Sequence, residues 1–281
     1  MSSLVVDRPR LDREGLTATL DGGVLDVVLH SGAANEIGTA MLADLEALVA
    51  AFEGVRAMVI RSASRRGFCA GADLRELHRS NAARREAGAT DAERVREVRT
   101  FLDRIHAVMN AIDEAPFTTV AAVHGVVFGG GFELALACDL IVADKSARFA
   151  FPELRLGVIP GFGGIPRLRR ALGVNVASDL LLTGRSLGAR RAHELGLVSQ
   201  VVLEGQAADV ARRVAEQATR LDEAATTAAL RFLSADITAE LEHEKDVFCR
   251  LFVSPVVDAA LARFDRDVSP MPYLPASGGT S

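Results

Sequence analysis

Four features of this sequence have residue types and spacing that could do chemistry. The first is Gly129-Gly130-Gly131, placed between an apolar run and a helix-like stretch. Glycines let the backbone turn sharply and present bare N–H groups with no side chain in the way. The first N–H groups of a helix lack intrahelical partners and lie at the positive end of its dipole. Such a turn suits a phosphate, or an oxygen that becomes negative during a reaction. It also serves as a plain strand-to-helix turn. The second feature is Phe68-Cys69-Ala70-Gly71-Ala72-Asp73-Leu74, where Gly71 relaxes a turn and Asp73 can cap the helix that follows. If the Ala72 N–H faced that of Gly130, two donors would converge on one oxygen. An oxyanion hole of this kind is worth roughly 3–4 kcal/mol per donor.

The other two features are acids in apolar surroundings. Glu133 lies three residues after Gly130 in GFELALA, and Glu153 follows Phe151-Pro152. An isolated buried acid is costly unless paired, hydrogen-bonded or protonated. The same environment raises a carboxyl pKa toward the range useful for proton transfer. Structural roles are open to both: a dipole partner at a helix start for Glu133, and a buried salt bridge for Glu153, with Arg167 as a candidate.

Competing patterns do not fit. GxxxxGK[ST] is absent, and the turn reads GGGFELA rather than G-x-G-x-x-G, so phosphate cradling is not expected here. His124, just ahead of the glycines, reads as a satisfied strand-end histidine. Cys69 has no histidine among its sequence neighbours to activate it. No His/Asp/Cys spacing suggests a metal site, and none is expected.

The elements that must position these residues alternate. Leu16–Leu20 and Val24–His30 read as strands joined by Asp21-Gly22-Gly23, a hairpin signal. Apolar residues at helical spacing follow from about Ile37 to Phe52, with Asn35 as a turn or N-cap residue ahead of them. Val55–Arg61 is a strand, and a helix opens near Asp73. The charge-rich stretch at 80–99 reads as a solvated helix face or a mobile segment. Helix resumes at about Phe101–Asp113. Thr118–Val123 is a buried-type strand running into the glycines. Alternation continues to Val201–Leu203, and residues 206–265 read as helices. The expected fold class is α/β, with a polar leader at 1–14, a core at 15–204, a helical region at 205–270 and a tail at 271–281.

Composition narrows the function classes. With 281 residues, 49% hydrophobic and 25% charged, the chain has material for an ordinary globular core. The formal charge of -5, the absence of Trp and the single Tyr give no support for nucleic-acid binding. Three widely spaced cysteines make no disulfide framework. No eighteen apolar residues run together and the first residues lack a secretory apolar stretch, so no membrane association and a cytoplasmic location are expected.

Taken together, the segments FCAGADL, VHGVVFGGGFELALACDLIVA, FAFPELRLGVIPGFGGIPRL and LLTGRSLGARRAHELGLVSQVV, in this order, resemble the enoyl-CoA hydratase/isomerase (crotonase) superfamily. The resemblance runs from about Val24 to about Leu203. It implies a crotonase-like ββα superhelix core with C-terminal helices that build a homotrimer, often stacked into a hexamer. It implies that the N–H groups of Ala72 and Gly130 hold a thioester carbonyl oxygen, and that Ala34, Ala70, Asp73 and Leu74 belong to CoA-binding segments. Hydratases of this family hold the attacking water with two glutamates, matched here by Glu133 and Glu153. Retention of both implies a hydratase acting on an acyl-CoA thioester, rather than an isomerase, decarboxylase or hydrolase, many of which lack one. CoA is then part of the substrate and no cofactor is expected. A non-catalytic or RNA-binding relative is disfavoured by the acidic balance and by both glutamates.

The sequence departs from the family pattern in three places. Thr118 stands where proline is frequent, with Pro116 two residues earlier. Ile165-Pro166 replaces a more polar pair. The segment FCRLFVSPVVDAALARFDRDVSP lacks a Glu-Gly-Met and has few of the basic residues that help a neighbouring subunit hold CoA.

Overall fold

A computed structural model describes residues 9–234 and 236–266. The expected tail at 271–281 lies outside the described residues. The chain builds β1 (Arg10–Asp12), β2 (Leu16–Asp21), β3 (Val24–Leu29), α1 (Thr39–Val49), β4 (Ala57–Ser62), β5 (Gly67–Cys69), α2 (Leu74–Glu86) and α3 (Asp91–Asp113). It continues through β6 (Thr118–Val123), β7 (Val126–Phe128), α4 (Gly130–Leu136), β8 (Leu140–Asp144), β9 (Arg148–Ala150) and the short 3-10 turn Glu153–Leu156. Then come α5 (Gly164–Thr183), β10 (Leu187–Gly188), α6 (Ala189–Glu194) and β11 (Gln200–Val202). Four helices close the described chain: α7 (Ala207–Ala218), α8 (Glu223–Leu233), α9 (Thr238–Phe252) and α10 (Pro255–Arg266).

The strands sort into two sheets, ordered β1-β2-β3-β4-β6-β8-β11 and β10-β9-β7-β5. Apart from the β1-β2-β3 meander, neighbours in the large sheet are parallel. Each of β4, β6 and β8 hands the chain to a strand of the small sheet, β5, β7 and β9, before a helix intervenes. This is the ββα superhelix. The central strands of the large sheet are covered on both faces, so they read as unbroken apolar runs such as Ala57-Met58-Val59-Ile60. One face meets the main core. The other meets α7, whose Ala207, Ala211 and Ala215 pack against Val59, Val120 and Val142.

Asp21-Gly22-Gly23 makes the hairpin, with Asp21 paired to Val24. Two expectations need correction. The polar leader contributes a strand, since Arg10–Asp12 pairs with Thr17–Thr19. In the charge-rich stretch the helical alternative holds, but its bounds do not: α2 reaches Glu86, and α3 starts at Asp91 rather than near Phe101. Thr90 and Glu93 form a capping box, each side chain bonded to the other's backbone N–H. Arg94 and Val98 on this stretch are buried, so it is more than a solvated face. Among the described residues, no helix is long and apolar enough to cross a membrane.

Candidate active site

Strands β5, β7 and β9 run parallel side by side, so the turns that leave their C-terminal ends emerge at one edge of the small sheet. Those turns carry Ala70–Ala72, Gly129–Gly131 and Pro152-Glu153. Ligands of parallel sheets gather at this end of the strands, and the pairing brings together residues as far apart in sequence as Ala70 and Glu153.

The two turns meet. Gly71 has φ of 103°, and a Cβ there would lie 3.0 Å from the Phe128 carbonyl oxygen and 3.1 Å from the Gly130 nitrogen. A Cβ on Gly130 would lie 3.5 Å from the Ala72 nitrogen. Ala72 bridges in parallel to Ile37: Ile37 N–H donates to the Gly71 carbonyl (2.7 Å) and Asp73 N–H to the Ile37 carbonyl (3.1 Å). Successive N–H groups of extended chain point to opposite sides, so the Ala72 N–H faces away from Ile37, toward the glycine turn. Gly130 opens α4, where its N–H has no intrahelical acceptor. Beneath it, Phe132 stacks on Phe151 (4.7 Å between centroids) and is fully buried, an anchor worth roughly 1.5–3 kcal/mol.

Glu153 presses against the same turn. A Cβ on Gly129, whose φ is 49°, would lie 2.5 Å from Glu153 Oε1, so only glycine admits the carboxyl here. Its Oε2 is buried and has no hydrogen-bond partner among the described residues. Burial, reinforced by the negative charge of Glu244, pushes Glu153 from the ordinary 4.5 up to about 8. Arg167 does not neutralise it, contrary to one expectation. That guanidinium, 1% exposed, is committed to Asp113 at 3.0 Å and Asn110 at 2.7 Å.

Glu133 is 2% exposed, and its Oε1 accepts from Phe162 N–H (2.7 Å) and Gly164 N–H (2.8 Å). Burial, then the charges of Glu244 and Glu153, raise its pKa well above the usual glutamate value, while the two N–H groups oppose the rise. The third acid, Glu244 on α9, is a buried neighbour of Glu133 that sequence reasoning missed. It accepts from Gly163 N–H at 2.6 Å and Ile165 N–H at 2.9 Å. Four consecutive amides at the start of α5 therefore alternate between Glu133 and Glu244. Burial pushes Glu244 up to about 7, against those amides and Arg167. The signal for it was its position: three residues after Leu241 and four before Phe248, on the buried stripe of its helix.

Neighbouring polar residues are committed elsewhere. His106 Nε2 lies 2.8 Å from the Gly161 carbonyl, which only accepts, so Nε2 carries the proton. Burial pushes this imidazole down to about 4, leaving it neutral. His124 contacts the Ser64 carbonyl at 2.9 Å, as a strand-end histidine would. Burial pushes the Cys69 thiol up to about 12, which removes it as a nucleophile. Among the described residues no group of His, Cys, Asp and Glu could hold a metal ion.

A cavity of about 380 Å³ opens from the two turns. Ala70, Asp73 and Leu74 line it, as do Gly130, Glu133 and Glu153. The Asp73 carboxylate is spent on capping α2 through Glu76 N–H (2.8 Å). Ala34 is not part of the lining; its carbonyl accepts from Ala70 N–H (2.9 Å) and fixes the approach of that turn. Asn35 is a buried turn residue with φ of 51°, not an N-cap, a place taken by Gly38. The remaining wall is largely apolar, from Leu77, Val98, Phe101, Phe162, Phe252 and Leu261.

The Ala72 and Gly130 turns lie side by side, buried acids stand beside them, and a largely apolar cavity opens from the same place, an arrangement with the chemical means to stabilise a developing negative charge. Sequence comparison agrees: the enoyl-CoA hydratase/isomerase family profile matches residues 19–262. The chain belongs to this family, within the crotonase superfamily. It is 39% identical over 195 residues to human enoyl-CoA hydratase domain-containing protein 2, mitochondrial, covering 68% of this chain and 62% of that protein. The match therefore spans less than two thirds of the human protein's length. A probable enoyl-CoA hydratase of Rhizobium meliloti (strain 1021) is 35% identical over 238 residues, covering 83% of this chain and 87% of that one. Among solved structures, a putative enoyl-CoA hydratase from Streptomyces avermitilis superposes with a TM-score of 0.76 at 26% identity, covering 89% of this chain and 90% of the other.

Proposed function

We propose that this protein adds water across the C2=C3 double bond of a 2-enoyl-CoA thioester. The observation that carries the reading is the pair of buried acids, Glu133 and Glu153, set against the turn that holds the Gly130 N–H. In this mechanism the thioester carbonyl oxygen sits between the Ala72 and Gly130 N–H groups, which stabilise the enolate-like charge as water adds at C3. Oε1 of Glu133 is occupied by the Phe162 and Gly164 amides, which leaves Oε2 to receive the proton of the attacking water. Its raised proton affinity makes it a stronger base once ionised. Glu153, protonated at neutral pH, delivers a proton to C2. Because Glu133, Glu153 and Glu244 interact, the working proton count belongs to the cluster rather than to any one of them.

The proposal includes a homotrimer or a hexamer, acting in the cytoplasm. Support for assembly comes from large apolar side chains left exposed on α5 and α8, among them Leu182, Phe232 and Leu233. The activity is tested by following the enoyl-thioester absorbance of crotonyl-CoA with the wild type. Loss of absorbance with formation of the 3-hydroxyacyl product is expected. A folded protein that binds CoA thioesters but leaves crotonyl-CoA and longer 2-enoyl-CoAs unchanged refutes hydration and directs attention to isomerase or other acyl-CoA chemistry on the same frame.

A further inference from the structure

The cavity ends in a polar cluster that the hydration chemistry does not use. Asp258 on α10 accepts from Asn81 Nδ2 (2.7 Å) and Arg85 (2.7 Å) on α2, and from Arg94 (3.2 Å) on α3. Arg94, 5% exposed, also donates to Asn81 Oδ1 (2.8 Å) and Asp91 (2.9 Å). Three helices are thus tied by one carboxylate, and every nitrogen of Arg94 has a partner. Asn81 and Arg94 line the cavity, and so do Val257 and Leu261, the residues flanking Asp258 on α10.

Both helices place this cluster at the end remote from the oxyanion turns. Asn81 is seven residues beyond Leu74, which adjoins the Ala72 turn. Arg94 is seven residues before Phe101, whose ring packs on Phe162 at 5.9 Å, and a Cβ on Gly130 would collide with Phe162. At 1.5 Å per residue, each path runs about 10 Å. Between the two ends the wall is mostly apolar, from Leu77 and Val98, with Ser80 and Glu97 joining it near the cluster. An extended chain advances about 1.2 Å per bond, so about eight bonds reach from the thioester carbon to the cluster.

The geometry points to Asp258 as the residue that sets the acyl-chain limit: it latches α10 across α2 and α3 and closes the tunnel to linear apolar chains longer than about eight to ten carbons. A methyl end that stops short of the cluster gains burial with each added carbon. A longer one must part charge-assisted hydrogen bonds among groups taken out of water, and it has nothing to offer them in return. The limit therefore comes from the intact latch more than from the shape of the wall. This inference rests on reading the cavity as the acyl site.

The test uses saturated acyl-CoAs from four to sixteen carbons, which bind but cannot be hydrated, with affinity measured by calorimetry on the full chain. In the wild type, affinity should climb by up to about fourfold per methylene and level off or fall beyond about ten carbons. In Asp258→Ser the climb should continue, raising the ratio of sixteen-carbon to eight-carbon affinity at least about tenfold over wild type, the gain of two or more newly buried methylenes. Leu261→Trp fills the same end without touching the latch, and should move the break to shorter chains. A wild-type profile that climbs unbroken to sixteen carbons overturns the proposal. So does an unchanged ratio in a correctly folded Asp258→Ser. If Asp258→Ser does not fold, an unchanged break in Leu261→Trp overturns it. A chain-length break without crotonyl-CoA turnover would sink the hydratase reading and leave the latch standing. If no acyl-CoA binds at all, both readings fall.

Discussion

Replacing Glu153 by glutamine should cost activity and, with rising pH, return stability. The Glu153 carboxyl is pushed from 4.5 to about 8 by burial, with one oxygen unpartnered among the described residues. A carboxyl whose folded pKa is raised favours the folded state fully below its unfolded value and loses that contribution as pH rises toward the folded one. At about 1.4 kcal/mol per unit, the full loss is about 5 kcal/mol, and about 2–3 kcal/mol of it falls between pH 5 and pH 7. Glutamine cannot ionise, so the variant should lack this part of the slope. Its amide still leaves a buried polar atom to satisfy, a cost of about 1–3 kcal/mol that does not vary with pH. The pH dependence of the difference is therefore diagnostic, not its absolute value. Urea unfolding of both proteins at about pH 5, 7 and 8.5 should show the variant gaining on the wild type by about 3–4 kcal/mol over that range. The same variant should hydrate crotonyl-CoA at least about 10²-fold more slowly, as expected for loss of a general acid. A stability difference that stays constant across pH would refute the claim that this carboxyl is held protonated in the folded protein.

Three further outcomes follow from the same site. Glu133→Gln should lower kcat by about 10²–10⁴-fold while KM changes little, because the lost group acts on water rather than on the thioester; steady-state kinetics with crotonyl-CoA separate the two. Glu244→Gln removes the largest negative charge that raises Glu133, so Glu133 should ionise at lower pH and the acidic limb of the kcat/KM profile should move down; a limb that stays in place contradicts the assignment. Gly71→Ala puts a Cβ 3.0 Å from the Phe128 carbonyl oxygen at φ of 103°, and should cost about 1–3 kcal/mol in a thermal or urea melt together with a fall in kcat/KM as the two amides part.

Much of the site was legible because its backbone demands leave marks in residue type. Three successive glycines and Gly71 are required where two turns approach within a few ångströms, and Asp73 announces the helix it caps. Strand and helix alternation was equally visible, since parallel strands covered on both faces must be apolar throughout. What could not be read was adjacency. Nothing in the letters pairs β5 with β7 and β9, yet that pairing alone sets Ala72 beside Gly130 and Glu153. The start of α3 was missed because its charge density resembles a solvated surface, although Thr90 and Glu93 carried the capping signal. Arg94 illustrates the difficulty: a buried arginine is identified by its partners, and Asp258 lies 164 residues away. Arg167 was linked to Glu153 by local apolar context, whereas the fold supplies Asp113 from α3 as its counter-ion.

The alternating amides at 162–165 have a consequence for when the enzyme becomes an enzyme. Glu133 reaches its two amides across about thirty residues of chain, but Glu244 closes contacts spanning 81 and 79 residues and comes from the middle of α9. Contacts this distant in sequence carry the greatest loop-closure cost and are favoured late in folding. The sheets, the glycine turns and the buried Glu133 and Glu153 can therefore be in place while the comb of amides is held from one side only. A nascent or truncated chain lacking α9 would carry every motif that marks the family while the amides beside Glu133 lacked their second anchor, so the site is completed by the final helices rather than by the core.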